Sequence, residues 1–158
     1  MEPVMQSFSR KIRVSVAEQR LELLESGCCV ASYPISTSGY GLGSESGSNK
    51  TPLGRFAISE KIGAGSPTGM VFSSREPTGE IAGLGDPRDL VLTRILWLEG
   101  LDPGNANTKE RYIYLHGTNK EERIGEPCSH GCVRMRNADI IALFDMVEPG
   151  TEVVIERS

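Results

Sequence analysis

The chain has 158 residues, of which 38% are hydrophobic, 6% aromatic and 24% charged, enough for one domain with a core of its own. Seventeen Lys and Arg against 21 Asp and Glu leave a formal net charge of −4, which argues against a general nucleic-acid binder and its basic field. No apolar run approaches the roughly 20 residues of a membrane-spanning helix. The eighteen Gly and nine Pro follow no G-X-Y period and read as many turns rather than as collagen or disorder.

Residues 1–10 hold no basic segment followed by an apolar one, so no export signal is expected there; cytoplasmic work and earlier removal of a leader both stay open. Ile12, Val14 and Val16 alternate with Arg13 and Ser15, the period of a half-buried strand. Leu21, Leu23 and Val30 are expected to continue the pattern, with a turn at Ser26-Gly27. Residues 36–50 are rich in Gly and Ser and poor in core residues. They read as a flexible linker or as a long functional loop. Thr51-Pro-Leu-Gly-Arg-Phe-Ala-Ile-Ser restarts a strand, residues 63–89 read as turns, and Val91–Leu98 is the strongest apolar segment and holds the only Trp. Arg111–His116 reads as a strand. One helix is expected over Ala138–Val147, capped by Asn137 and buried through Ile140, Ile141, Leu143, Phe144 and Val147. Pro149-Gly150 ends it, and Thr151–Glu156 is a last strand. The pattern predicts one mainly β domain with a single late helix.

The four Cys are too few for a disulfide scaffold. Cys28 and Cys29 are adjacent on an expected strand, where neighbours point to opposite faces, and are expected to be small buried residues. The other two lie in a chemical cluster. Both His of the chain fall within sixteen residues of Cys132, in His116-Gly117-Thr118 and in Ser129-His130-Gly131-Cys132-Val133-Arg134. A free thiol is only a few per cent thiolate at neutral pH, and a nearby imidazole activates it by taking the proton. The glycines let a substrate approach the backbone and leave N–H groups for an oxyanion. A rival reading is a zinc site of His116, Cys128, His130 and Cys132, but a Cys-x-His-x-Cys run leaves little room to wrap a tetrahedral ion. No metal and no cofactor are expected.

His116-Gly-Thr and Ser-His-Gly-Cys-Val-Arg resemble the active-site signature of the L,D-transpeptidase catalytic domain, the YkuD-like family of peptidoglycan enzymes. Tyr33-Pro-Ile-Ser-Thr-Ser, Thr51-Pro-Leu-Gly-Arg-Phe and Arg111-Tyr-Ile-Tyr-Leu-His-Gly-Thr are similar to other segments of that family, over roughly residues 10–156. The resemblance implies a β-sandwich or barrel-like catalytic domain over residues 1–158, with its main helix after the catalytic loop. It implies Cys132 as nucleophile, His116 as general base and the Gly117 carbonyl as the group orienting the ring. The N–H of Cys132, with that of Gly131, would stabilise the oxyanion. Ser129 and His130 belong to the motif, His130 holding the loop or touching substrate. Arg134 either binds a substrate carboxylate or braces the loop. The implied partners are peptidoglycan stem peptides, and the implied place is the periplasm or cell envelope. The implied reaction is acyl transfer from the third stem residue with release of D-Ala and formation of 3-3 cross-links. Carboxypeptidase action, lipoprotein attachment or release, and a silent wall-binding domain are the alternatives.

Overall fold

The structure is a computed structural model that describes residues 9–83 and 85–158; the segment read for an export signal lies mostly outside them. Ten strands and one helix follow in chain order: β1 (Arg10–Ser15), β2 (Arg20–Glu25), β3 (Cys28–Ser36), β4 (Gly54–Ile62), β5 (Met70–Ser73), β6 (Glu76–Ile81), β7 (Val91–Gly100), β8 (Tyr114–Gly117), β9 (Val133–Met135), α1 (Asn137–Phe144) and β10 (Glu152–Glu156). Eight strands hydrogen-bond in the order β4-β10-β1-β2-β3-β9-β8-β7, and β7 pairs again with β4, so the sheet closes into a barrel. Closure leaves those strands no free edge along the ring. The hairpin of β5 and β6 hangs from the start of β7 through Val71–Leu92 and Phe72–Val91. Two pairs are parallel, β1 with β10 and β8 with β9.

The period-2 patterning decides the inside of the barrel. Ile12, Val14, Leu21, Leu23, Phe56, Ile58, Leu96, Leu98, Leu115, Val133, Met135, Val153 and Ile155 form one buried cluster, and Ile140, Leu143 and Phe144 add the apolar face of α1 to it, with Val147 buried just past the helix end. The helix stops at Phe144 rather than Val147, and Ile141 is only half-buried. On the outer face of β7 and β8 a smaller cluster of Phe72, Ile95 and Tyr114 packs with Met70, Val91, Trp97 and Cys132. The β5–β6 hairpin thus covers the outer face on which Cys132 lies. No helix among the described residues is long and apolar enough to cross a membrane.

Several expectations change. Val30 is exposed, as are Cys28 and Cys29. β9 meets β3 only at Ile35 and Ser36, so the start of β3 has β2 beside it and no layer over it. Residues 63–89 contain a hairpin rather than turns alone. β6 is exposed along its whole length and carries Pro77 and Gly79, which erases the alternation a strand would show. The Ser74-Arg75 corner between β5 and β6 has φ of 49° and 68°, the primed-turn geometry normally taken by Asn and Gly. β8 begins three residues later than expected, because Tyr112 turns to φ 59°.

Asn137 is not the cap of α1 but its first residue, with Arg136 at the cap position and no side-chain capping bond. The Glu121 carboxylate takes that role from across the fold, accepting from the Asn137 N–H at 2.7 Å and from its Nδ2 at 2.8 Å. Negative charge at a helix start is favourable wherever in the chain it comes from. Residues 36–50 are pinned rather than free. Ser38 bridges to Ser129 and Leu42 to Thr51, and the Arg111 guanidinium donates to the Lys50 carbonyl at 2.7 Å and to that of Gly43 at 3.3 Å.

Candidate active site

The chemistry-bearing residues meet where β8 and β9 run parallel. His116 is in register with Arg134, and Leu115 with Val133. Alternation then puts Leu115, Val133 and Met135 inside the barrel and Tyr114, His116, Cys132 and Arg134 on the outer face. Sixteen residues of sequence separation thus become a diagonal relation across adjacent strands, with imidazole and thiol lining one cavity.

His116 is buried, and its Nδ1 lies 2.5 Å from the Gly117 carbonyl oxygen. A carbonyl only accepts, so Nδ1 carries the hydrogen and Nε2 is the basic nitrogen. Burial is the main force pushing the imidazole down to about 4, with the Arg134 charge adding to it; the ring is therefore neutral at neutral pH. The Cys132 thiol is pushed up to about 11, again chiefly by burial, while the Tyr114 N–H and the charges of Arg134 and Arg111 pull the other way. The resting pair is a neutral thiol beside a neutral imidazole. The thiol donates to the Tyr112 carbonyl at 3.3 Å, and its sulfur accepts from the Tyr114 N–H at 3.2 Å.

The loop of residues 128–132 is held from three sides. The N–H groups of Cys128 and Ser129 both donate to the Thr37 carbonyl at 2.9 Å. Thr51 Oγ1 donates to the Gly131 carbonyl at 2.9 Å and accepts from the Ser38 N–H at the same distance. Ser129 Oγ donates to the Cys132 carbonyl at 2.6 Å and accepts from the Gly131 N–H at 3.2 Å. That last bond occupies the Gly131 N–H, whereas the Cys132 N–H takes no partner among the described residues. Gly131 has φ 125°, a conformation that a side chain would strain. Gly117 is required for space. A Cβ there would run into Asn137 Oδ1 and come within 2.8 Å of the Leu92 carbonyl.

Asp89 carries no motif and was missed by sequence reasoning. Its Oδ2 accepts from Arg134 Nη2 at 2.7 Å and lies 3.0 Å from His130 Nδ1. Buried Arg134 also points Nη1 at Cys128 Sγ, 3.5 Å away. The Arg134 guanidinium is thus spent on bracing the loop in this structure, and His130 is exposed, held by Asp89 and lying 5.5 Å from the Tyr40 ring. No group of three His, Cys, Asp or Glu among the described residues is placed to hold a metal ion. Two cavities meet at Cys132. One of about 170 Å³ is lined by Asp89, Val91, His116, Ser129, His130 and Arg134 with the thiol. The other, about 240 Å³, runs toward Asn49, Glu110, Arg111 and Tyr112.

Residues 9–155 match the model of the YkuD family, described as the L,D-transpeptidase catalytic domain. The chain belongs to that family. Among its relatives, the probable L,D-transpeptidase YcfS of Escherichia coli is 33% identical over 153 residues, covering 91% of this chain and 43% of the relative. The putative L,D-transpeptidase YkuD of Bacillus licheniformis is 27% identical over 146 residues, covering 92% of this chain and 64% of the relative. The chain therefore spans less than two thirds of the length of these L,D-transpeptidase relatives. L,D-transpeptidase 3 from Mycobacterium tuberculosis, solved in complex with a faropenem-derived adduct, superimposes with a TM-score of 0.62 at 16% identity, covering 95% of this chain and 61% of that one. That likeness shows the barrel fold of the family.

Proposed function

We propose that residues 1–158 form a single catalytic domain that transfers an acyl group of peptidoglycan stem peptides through Cys132, with His116 as base. The observation that carries this reading is the pairing of β8 with β9, which sets a thiol and a tautomer-fixed imidazole on one face, lining one cavity. The Gly117 carbonyl fixes the ring, as the third member of a triad does.

The thiol turns from the Tyr112 carbonyl and gives its proton to His116 Nε2 as sulfur attacks the carbonyl carbon of the third stem residue. Burial holds the thiol up and the imidazole down, which favours the neutral pair over a standing ion pair. Proton transfer therefore accompanies C–S bond formation. The Cys132 N–H is free to donate to the developing oxyanion. His116 returns the proton to the leaving nitrogen of D-Ala, and a thioester remains. An amine from a second stem then attacks the thioester, forming a 3-3 cross-link and restoring the thiol. Because the substrate is a wall polymer, the proposed place of work is the periplasm or cell envelope.

Intact-protein and product mass spectrometry on wild type and Cys132→Ala, after incubation with a disaccharide-tetrapeptide muropeptide, tests the reading. A covalent adduct on wild type alone, with cross-linked dimer among the products, is expected. Tripeptide without dimer would make the enzyme a carboxypeptidase. Turnover by Cys132→Ala, or no adduct with either the muropeptide or a carbapenem, would refute the nucleophile assignment.

A further inference from the structure

Asp89 does more in this geometry than brace its neighbours. Its Oδ2 serves both Arg134 and His130, but its Oδ1 takes no partner among the described residues. The side chain is 41% exposed and forms part of the wall of the cavity that also holds His116 and Cys132. A partly exposed carboxylate with one oxygen unpartnered, lining the cavity that holds Cys132, is a receptor for a hydrogen-bond donor.

The segment that carries Asp89 is fixed by the strand that carries the base. Asn119 and Lys120 follow directly on His116-Gly117-Thr118. Asn119 Nδ2 donates to the carbonyls of Asp86 at 3.0 Å and Arg88 at 2.6 Å, and its Oδ1 accepts from the Leu90 N–H at 3.1 Å. Lys120 Nζ reaches the Pro87 carbonyl at 3.2 Å. The carboxylate and the imidazole are thereby held in one frame, as positioning of a second reactant requires.

We infer that Asp89 Oδ1 is the docking point for the ammonium group of the acyl acceptor, and that it selects an amine over water as the second nucleophile. The inference rests on the acyl-transfer reading of Cys132 and names the chemistry of its second substrate, the side-chain amine of a diamino acid. An ammonium gains both a charge-assisted hydrogen bond and an ion-pair attraction at Oδ1, whereas a water molecule gains only the hydrogen bond. Once bound, the ammonium gives one proton to solvent while a remaining N–H stays on Oδ1. The neutral amine attacks the thioester carbon, the C–N bond forms as C–S breaks, and the second proton passes through His116 to the Cys132 sulfur. Arg134 is still paired with Asp89 throughout, so the loop does not move.

The test is the partition of the acyl-enzyme. Wild type, Asp89→Asn and Asp89→Glu are incubated with the tetrapeptide muropeptide as donor and increasing amounts of a stem peptide with a free side-chain amine. Dimer and hydrolysed tripeptide are counted by liquid chromatography with mass detection. Asn can still accept from Arg134, so a bracing role would leave the ratio of dimer to tripeptide unchanged. The docking role lowers that ratio at least tenfold in Asp89→Asn and returns part of it in Asp89→Glu. A second measurement needs no change at position 89. Cys132→Ala should bind the free-amine peptide at least fivefold tighter than its N-acetylated analogue by calorimetry. An unchanged ratio, no preference for the free amine, or a wild-type acyl-enzyme that only hydrolyses would overturn Asp89 while leaving Cys132 as the nucleophile. No acyl-enzyme on wild type would instead overturn the reading of the site itself.

Discussion

Gly117→Ala tests whether the base is aimed by the backbone that follows it. The new Cβ would overlap Asn137 Oδ1 and approach the Leu92 carbonyl to 2.8 Å and Thr93 Cβ to 3.2 Å. The Asn137 amide is tied to Thr93, to the Thr118 carbonyl and to Glu121, so it has little freedom to withdraw. The Leu92 carbonyl is backbone opposite Gly117 in the β7–β8 pair and cannot rotate away. Forced overpacking of this kind costs about 1–3 kcal/mol. At about 2–4 °C per kcal/mol for a domain near this size, the melting temperature should fall by roughly 2–12 °C. The end of β8 must shift, and with it the carbonyl that fixes His116. Misplacement of a catalytic group by about 1 Å can cost a factor near 10² in rate. Thermal melting by circular dichroism, with the rate of carbapenem acylation at a temperature where both proteins are folded, reads the two effects separately. Gly117→Ala combined with Asn137→Ala should recover part of the stability but little of the rate, since Leu92 still obstructs. A Gly117→Ala protein with the wild-type melting point and acylation rate would refute the reasoning.

Two further outcomes follow from the packing. The His116 imidazole is held down to about 4 by burial, against an ordinary 6.5. The unfolded chain therefore takes up a proton in the window from about 6.5 to 4 while the folded one does not. Stability present above 6.5 is lost across that window, about 3 kcal/mol from this group, and urea titrations at steps of pH should show the loss shrink in His116→Gln. Glu121→Ala removes the acceptor of both Asn137 donors and should cost about 1 kcal/mol, as loss of a helix cap does. Glu121→Gln keeps one acceptor oxygen and should restore most of it in the same denaturation assay.

The local patterns were legible wherever a residue's fate depends on its near neighbours. Ile12 and Val14 alternate into the core as their spacing says, and Ile140, Leu143 and Phe144 of α1 bury as expected, though the helix ends three residues early and Ile141 is only half-buried. Patterning failed at β6, where an exposed strand has no apolar side to alternate, and at Cys28, Cys29 and Val30, where exposure depends on how far β9 extends along β3. The cap of α1 was misread because the better acceptor, Glu121, stands sixteen residues away in sequence.

The same division runs through the site. The residue types and spacing of His116-Gly117 and Ser129-His130-Gly131-Cys132 singled out the candidate reacting groups, because a thiol nucleophile needs a base and small neighbours within reach. What those residues face was decided only by the closed barrel. The parallel register of β8 and β9 put the imidazole, the thiol and Arg134 on one outer face. The segment entering β7 brought Asp89 to Arg134 from 45 residues away in sequence. Burial then set the protonation of His116 and Cys132. Sequence determines which chemistry is available. Register, closure and desolvation depend on contacts between distant segments, and those exist only once the chain has folded.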